Sequence, residues 1–238
     1  MKTTMALKPL AFALAALMAV AAHAGQGGGQ GPQQPNNPPA APTSSAATVN
    51  DGQSNHGNVV LNDKTKNNGS VNDSFKNYSG IAGSNTAAGD NNQGKNDVAI
   101  TAGDADFVFA TVSSAQANYG NLVINSGTKN NASVNDSFKD FSGIGQSNVA
   151  AGTSNQGSNS VAINAGEGKG GAATINAVQE VTGNLTLNLS SGHGWKTTPV
   201  TNNASTNNSF TNFSGIGASN VSAGGNNQGQ NNTAITRF

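Results

Sequence analysis

The chain has 238 residues, no cysteine, 11 basic and 11 acidic residues, 9% charged residues and 5% aromatic ones. That excludes thiol chemistry, disulfides and cysteine-ligated metals, and it leaves no basic field for nucleic acid. A composition dominated by Asn, Gly, Ser, Ala and Thr is too polar for a large oily core and too uncharged for charge-driven disorder, so either the amides and backbone satisfy one another in extended ladders or the chain is a flexible polar coil.

Residues 1–24 read as an export signal: Lys2 and Lys8 precede an apolar run from Leu10 to Ala22, and Ala22-His23-Ala24 supplies a small-residue cleavage site. The run is shorter than the roughly 18 residues a membrane span requires, and no later segment approaches that length. A mature chain beginning near Gly25 and not embedded in a membrane is expected, with 9 basic and 11 acidic residues once the two lysines are removed. Residues 25–47 hold five of the seven prolines among Gly, Gln and Asn, and read as a disordered leader.

The remainder repeats itself. A 34-residue block from Asn67 to Ile100 recurs from Asn130 to Ile163 and from Asn202 to Ile235, and the first two copies match at 24 of 34 positions. Gly57-Asn58-Val59-Val60-Leu61-Asn62 recurs 63 residues on at Gly120 and again at Gly183, so the full unit is about 63 residues, with a nine-residue insertion from Ser191 to Pro199 in the last. The expected units are 48–110, 111–173 and 174–238.

Val59 to Leu61, Leu122 to Ile124 and Leu185 to Leu189 are β-branched or leucine-rich and bounded by Gly and Asn, which predicts strands. No apolar stripe of helical period persists beyond the signal, and Gly and Asn recur too often for helix. Within each block, Ser79-Gly80-Ile81, Gly89 and Gly94 are expected to turn the chain, giving several short strands per unit. Such a unit cannot bury its apolar face alone. The predicted fold is therefore all-β: three stacked repeat layers, as a β-solenoid or a Greek-key-like amyloid core.

Stacking would align Phe75, Phe138 and Phe210; Tyr78, Phe141 and Phe213; and Ile81, Ile144 and Ile216. At about 4.8 Å spacing, the amides of Asn72, Asn135 and Asn207, and of Gln93, Gln156 and Gln228, would form ladders. These fifteen residues are the candidate self-assembly site. Asp73 and Asp136 would stack like charges, relieved by Asn208 in the third copy. Pro199, the only proline of the repeat region, falls in the insertion, where no ladder needs its missing N–H.

Other constellations carry less. Asp90-Asn91-Asn92-Gln93-Gly94 suggests a calcium loop, yet Thr101 stands where an EF-hand needs its acidic ligand, so an ordinary turn is expected. Gly166 to Gly171 has a lysine among glycines but no following Ser or Thr, and reads as linker. His56 and His193 have no third ligand in view, and Trp195 sits in the insertion as a loop aromatic. No cofactor or metal is expected, and no acid, base or nucleophile recurs or clusters as catalysis would require.

The motif Gly-Ile-x-x-Ser-Asn-x-x-Ala-Gly-x-x-Asn-Gln, starting at Gly80, Gly143 and Gly215 in three Asn, Gln, Ala and Gly-rich copies, resembles the Fap functional amyloids of Pseudomonas-type bacteria. The resemblance covers Asn67 to Phe238. It implies export through a dedicated outer-membrane pore, extracellular polymerisation with itself, a second amyloid subunit as partner and a role in biofilm. The short linkers look more like those of the minor, nucleating subunit, and the Cys-x-Cys that such subunits carry is missing. The leading expectation is a secreted, self-assembling fibre subunit; the alternatives are a monomeric β-solenoid adhesin on the cell surface and a disordered secreted polymer.

Overall fold

The computed structural model describes residues 41–166, 168–192 and 197–237. The export signal, most of the leader, Glu167, His193, Trp195 and Phe238 lie outside the described residues. The first layer comprises β1 (Ser44–His56), β2 (Val59–Asp63), β3 (Lys66–Asn72), β4 (Ser79–Ala88) and β5 (Gln93–Ala102). The second comprises β6 (Phe107–Tyr119), β7 (Leu122–Ser126), β8 (Lys129–Asn135), β9 (Ser142–Thr153) and β10 (Gln156–Ala165). The third comprises β11 (Gly170–Thr182), β12 (Leu185–Leu189), β13 (Thr201–Asn207), β14 (Ser214–Gly225) and β15 (Gln228–Arg237).

Each strand pairs in parallel with its counterpart in the next layer, giving five three-stranded sheets: I (β1-β6-β11), II (β2-β7-β12), III (β3-β8-β13), IV (β4-β9-β14) and V (β5-β10-β15). The register follows the sequence repeat residue for residue, with Ile81 opposite Ile144 and Ile144 opposite Ile216. The nine extra residues of the third copy are absorbed between β12 and β13, where Ser191 and Thr198 form an isolated antiparallel bridge. The turns stack as well: Asp73 N–H donates to Asn135 O, Phe138 N–H to Ser74 O and Phe210 N–H to Ser137 O, at 3.1, 2.9 and 3.1 Å. Backbone polar groups are thus satisfied between layers, which a chain with so little apolar material requires.

Three details differ from the sequence reading. The first strand begins at Ser44, so Ser44 to Ala47, assigned to the leader, pair with Phe107 to Ala110 and belong to the repeat. Gly94 does not turn the chain but lies inside β5, where a Cβ would sit 3.1 Å from the Asn85 side chain. Its equivalents Gly157 and Gly229 face Asn148 and Asn220 in the same way, so this glycine makes room for an amide row. Ser79 to Ile81 likewise begins β4; the real turn into β5 is at Gly89 and Asn91, both with positive φ.

Sheet V packs against sheet I on one side and sheet IV on the other, and sheet IV packs against sheet III. Sheet II connects I to III and lies across the β4–β5 turns, with Asn62 Nδ2 donating to Asp90 and the Thr153 and Thr186 hydroxyls 2.9 Å apart. The I–V interface has a small apolar centre of Ala47, Val49, Ala99, Ala110, Val112 and their counterparts, flanked by polar contacts such as those of Gln53 and Gln116 to the backbone of sheet V. The III–IV interface holds Ala82, Val134, Val149, Ala151 and the phenylalanines. Asn side chains fill the space between IV and V. Among the described residues no helix is long and apolar enough to cross a membrane.

Candidate functional site

The β3–β4 arch presents the aromatic residues. In all three copies its first, third and fifth residues adopt a left-handed backbone: φ is 52°, 56° and 51° at Asp73, Phe75 and Asn77, and the values recur within a few degrees at Asp136, Phe138, Asp140, Asn208, Phe210 and Asn212. Asn and Asp tolerate this conformation, but a phenylalanine there costs on the order of 1 kcal/mol or more. Packing offsets the strain by turning the ring into the III–IV core, where Phe138 is fully buried.

The rings form two columns along the stacking axis. Phe75, Phe138 and Phe210 stack with centroids 4.8 and 4.5 Å apart. Tyr78, Phe141 and Phe213 stack at 5.5 and 5.2 Å, and Phe138 meets Phe141 edge-on across the columns at 5.8 Å. Ile81, Ile144 and Ile216 lie in register on the same sheet, with Ile144 buried and Ile81 half exposed.

Both expected amide rows are hydrogen-bonded. Asn135 Nδ2 donates to Asn72 Oδ1 and Asn207 Nδ2 to Asn135 Oδ1, each at 2.8 Å, on an exposed face. Gln156 Nε2 donates to Gln93 Oε1 at 2.8 Å and Gln228 Nε2 to Gln156 Oε1 at 3.3 Å, with Gln156 wholly buried. The sequence reading missed more extensive rows. Asn85, Asn148 and Asn220 on sheet IV interlock with Asn96, Asn159 and Asn231 on sheet V through bonds of 2.9 to 3.1 Å both along and across the stack. Gln53, Gln116 and Gln179 form a further ladder on sheet I. The same repeat spacing marks all of these positions.

Stacked charges are relieved locally. Asp73 pairs with Lys76 and Asp136 with Lys139, three residues on in each case, and Asn208 Nδ2 donates to Asp136 Oδ1. The Lys139 hydrogen bond, followed by that of Asn208, holds the Asp136 carboxyl below its ordinary range. A second charge group went unrecognised. Lys95 on β5 is fully buried, donating to Asp51 O at 2.7 Å and lying 3.2 Å from Asp51 Oδ2 and 3.8 Å from Asp97 Oδ2. Burial pushes the Asp97 carboxyl up, and the Lys95 charge opposes that shift. Layer two places Ser114, Ser158 and Ser160 at these positions and layer three Ala177, Gln230 and Asn232. Asp90 to Gly94 forms the β4–β5 turn and the start of β5.

With in-register columns of rings and amides established, similarity to known proteins becomes interpretable. Residues 46–237 match the profile of the functional amyloid protein FapB/FapC family. The chain belongs to this family. Among FapB/FapC proteins, it is 38% identical over 195 residues to the functional amyloid subunit FapC of Pseudomonas aeruginosa, a match covering 80% of this chain and 57% of that protein. The chain thus spans little more than half the length of the curated FapC it matches. No solved structure matches the chain. The family match extends across all three layers and begins at Ala46, two residues into β1.

Proposed function

We propose that this protein is a secreted subunit that polymerises with copies of itself into extracellular amyloid-like fibres supporting a biofilm matrix and surface adhesion. The carrying observation is that the ten strands of the first and third layers each pair on one side only, leaving two open faces of matching register. In the third layer of one molecule the two ring columns end on Phe210 and Phe213, and in the first layer of the next they would resume on Phe75 and Tyr78. Joining unlike ends is a heterologous contact that does not close, so it generates an open filament.

The ten candidate residues of the first and third layers act in this reading as the contact between subunits, and the five of the second layer carry each column and ladder through the molecule, because each column and ladder gains three more layers on addition. The aromatic columns provide apolar stacking, and the amide rows exchange hydrogen bonds with water for bonds to the neighbouring subunit. FapC of Pseudomonas aeruginosa carries the description functional amyloid subunit, which supports the same role here. Export by a cleaved signal peptide, passage through an outer-membrane pore and co-assembly with a second subunit belong to this proposal. Neither open face is covered by a described residue, whereas a monomeric adhesin would need capped ends.

The test is incubation of the purified mature chain at high concentration. Sedimentable material that binds amyloid dyes and seeds fresh monomer is expected. Protein that stays monomeric for days without dye binding would contradict the proposal and return the adhesin reading.

A further inference from the structure

The second layer has neighbours on both sides, so whatever it leaves uncovered stays uncovered in a fibre. On sheet II it leaves Leu122 and Ile124 partly exposed and pointing away from the molecule, while the alternating Val123 and Asn125 are buried. The same outward positions hold Val59 and Leu61 in layer one, at 76% and 74% exposure, and Leu185 and Leu187 in layer three, at 53% and 41%. Two parallel rows of apolar side chains therefore run along the stacking axis on one flat face. Among the outward residues of this sheet only Asp63 is charged, and it is followed in its own row by Ser126 and Leu189. On the adjoining sheet III the outward row is polar, with Lys66, Asn68, Ser70 and Asn72 in its first layer. A contiguous apolar strip with a polar rim marks an interaction surface.

We infer that this strip is where two fibres of this protein zip together side by side, sheet II against sheet II. The inference rests on the polymerisation proposed above. The partner is a second copy because the strip repeats at the strand spacing of about 4.8 Å, and only a surface with that same repeat can match it over its length. Two such faces interdigitate as a dry zipper, with no stacked charge apart from one Asp63 per subunit. The area explains when pairing occurs. Three layers at about 4.8 Å and rows about 7 Å apart give a strip of roughly 200 Å² per molecule, against about 800 Å² per partner for a stable interface. Single molecules stay unpaired, and a stretch of about four stacked subunits reaches the required area by avidity.

The test compares fibres of the mature chain with those of a triple variant, Leu61→Asn, Ile124→Asn and Leu187→Asn. Asparagine keeps the stack neutral and able to form ladders while removing the apolar rows. A control variant, Thr48→Asn, Thr111→Asn and Thr174→Asn, places the same change on the outward face of sheet I. The readouts are mass per length of unstained fibres and the rate of seeded elongation. The unaltered chain and the control are expected to hold two subunits per about 14 Å of axis, and the sheet II variant one, a twofold drop with elongation unchanged. Single-filament fibres of the unaltered chain, or a sheet II variant that remains paired, would overturn the inference while leaving polymerisation intact. A sheet II variant that fails to elongate where the control succeeds would also overturn it, because the strip would then serve stacking. If the unaltered chain forms no fibres at all, the polymerisation reading falls and the pairing with it.

Discussion

The central layer and the first layer share most of their sequence but not their environment. Phe138, Val134 and Gln156 are buried to within a few per cent, while Phe75, Val71 and Gln93, their equivalents in layer one, remain partly open on the face that has no neighbour. The same residue in the same conformation is core in one layer and half-surface in the other. What differs is only the presence of a layer on each side. An end layer is thus an incomplete core, and adding a subunit completes it without any new kind of contact.

Substitution of the central ring puts the largest strain on this comparison. Phe138→Ala should destabilise the monomer by about 4 kcal/mol, and Phe75→Ala by about half as much, as measured by denaturant unfolding of freshly prepared monomer. In fibres the two costs should converge, since Phe75 then has neighbours on both sides. Critical concentration reads the fibre cost less the monomer cost, so Phe75→Ala should raise it by about tenfold for each 1.4 kcal/mol of that difference while Phe138→Ala leaves it nearly unchanged. Costs that stay unequal in fibres would mean that the first layer is not covered by a third.

The buried charge group is where the layers depart most in sequence, and it ranks next. Lys95→Gln alone leaves Asp97 buried without its counter-charge and should cost about 3 kcal/mol. Asp51→Ala, Lys95→Gln and Asp97→Asn together install the residues of layer three and should be neutral or stabilising by about 1 kcal/mol or more. Both are measured by unfolding midpoints. A triple variant as damaged as the single one would show that the first layer needs its ions.

Amide rows separate by burial in the same manner. Asn148 donates to Lys95 O at 2.7 Å and joins Asn85, Asn96, Asn159 and Asn220 between two sheets, so Asn148→Ala should cost about 2 to 3 kcal/mol. Asn135→Ala breaks two bonds of an exposed ladder, where water substitutes, and should cost about 0.5 kcal/mol. Equal effects on unfolding would remove burial as the deciding factor.

The smallest expected effect is on pH. Asp97 is raised above the ordinary 3.8 by burial, so the folded state holds its proton more tightly than the unfolded chain does. Its contribution is complete below the unfolded value and is lost as pH rises through the raised one, so stability should fall slightly over that rise. Asp106 and Asp136, both held down by hydrogen bonds from Lys169 and Lys139, act oppositely and lose their contribution as pH falls through their lowered values. Asp97→Asn should flatten that fall in the plot of unfolding midpoint against pH; an unchanged slope would place its origin elsewhere.

The layering was legible in the sequence because a 63-residue repeat with a nine-residue insertion can stack only in one register without losing its equivalences, and the strands at Val59, Leu122 and Leu185 follow from local composition. The ring columns and two of the amide ladders follow from the same logic. The order of sheets across each layer, I–V–IV–III, was not legible, since every sheet pairs only with its own copies and nothing local says which faces which. Gly94 was misread because a glycine that spaces an asparagine row looks in sequence like one that turns the chain. Lys95 with Asp51 and Asp97 escaped notice for the opposite reason: the group occurs once, so comparison between copies discards it.

Whether molecules join end to end with the spacing of their own layers is tested most directly by X-ray diffraction from aligned fibres of the purified mature chain. A strong meridional reflection near 4.8 Å, accompanied by a weaker one at about 14 Å from the three-layer subunit, is predicted. A pattern with the strand repeat turned to the equator, or without any order along the axis, would contradict it.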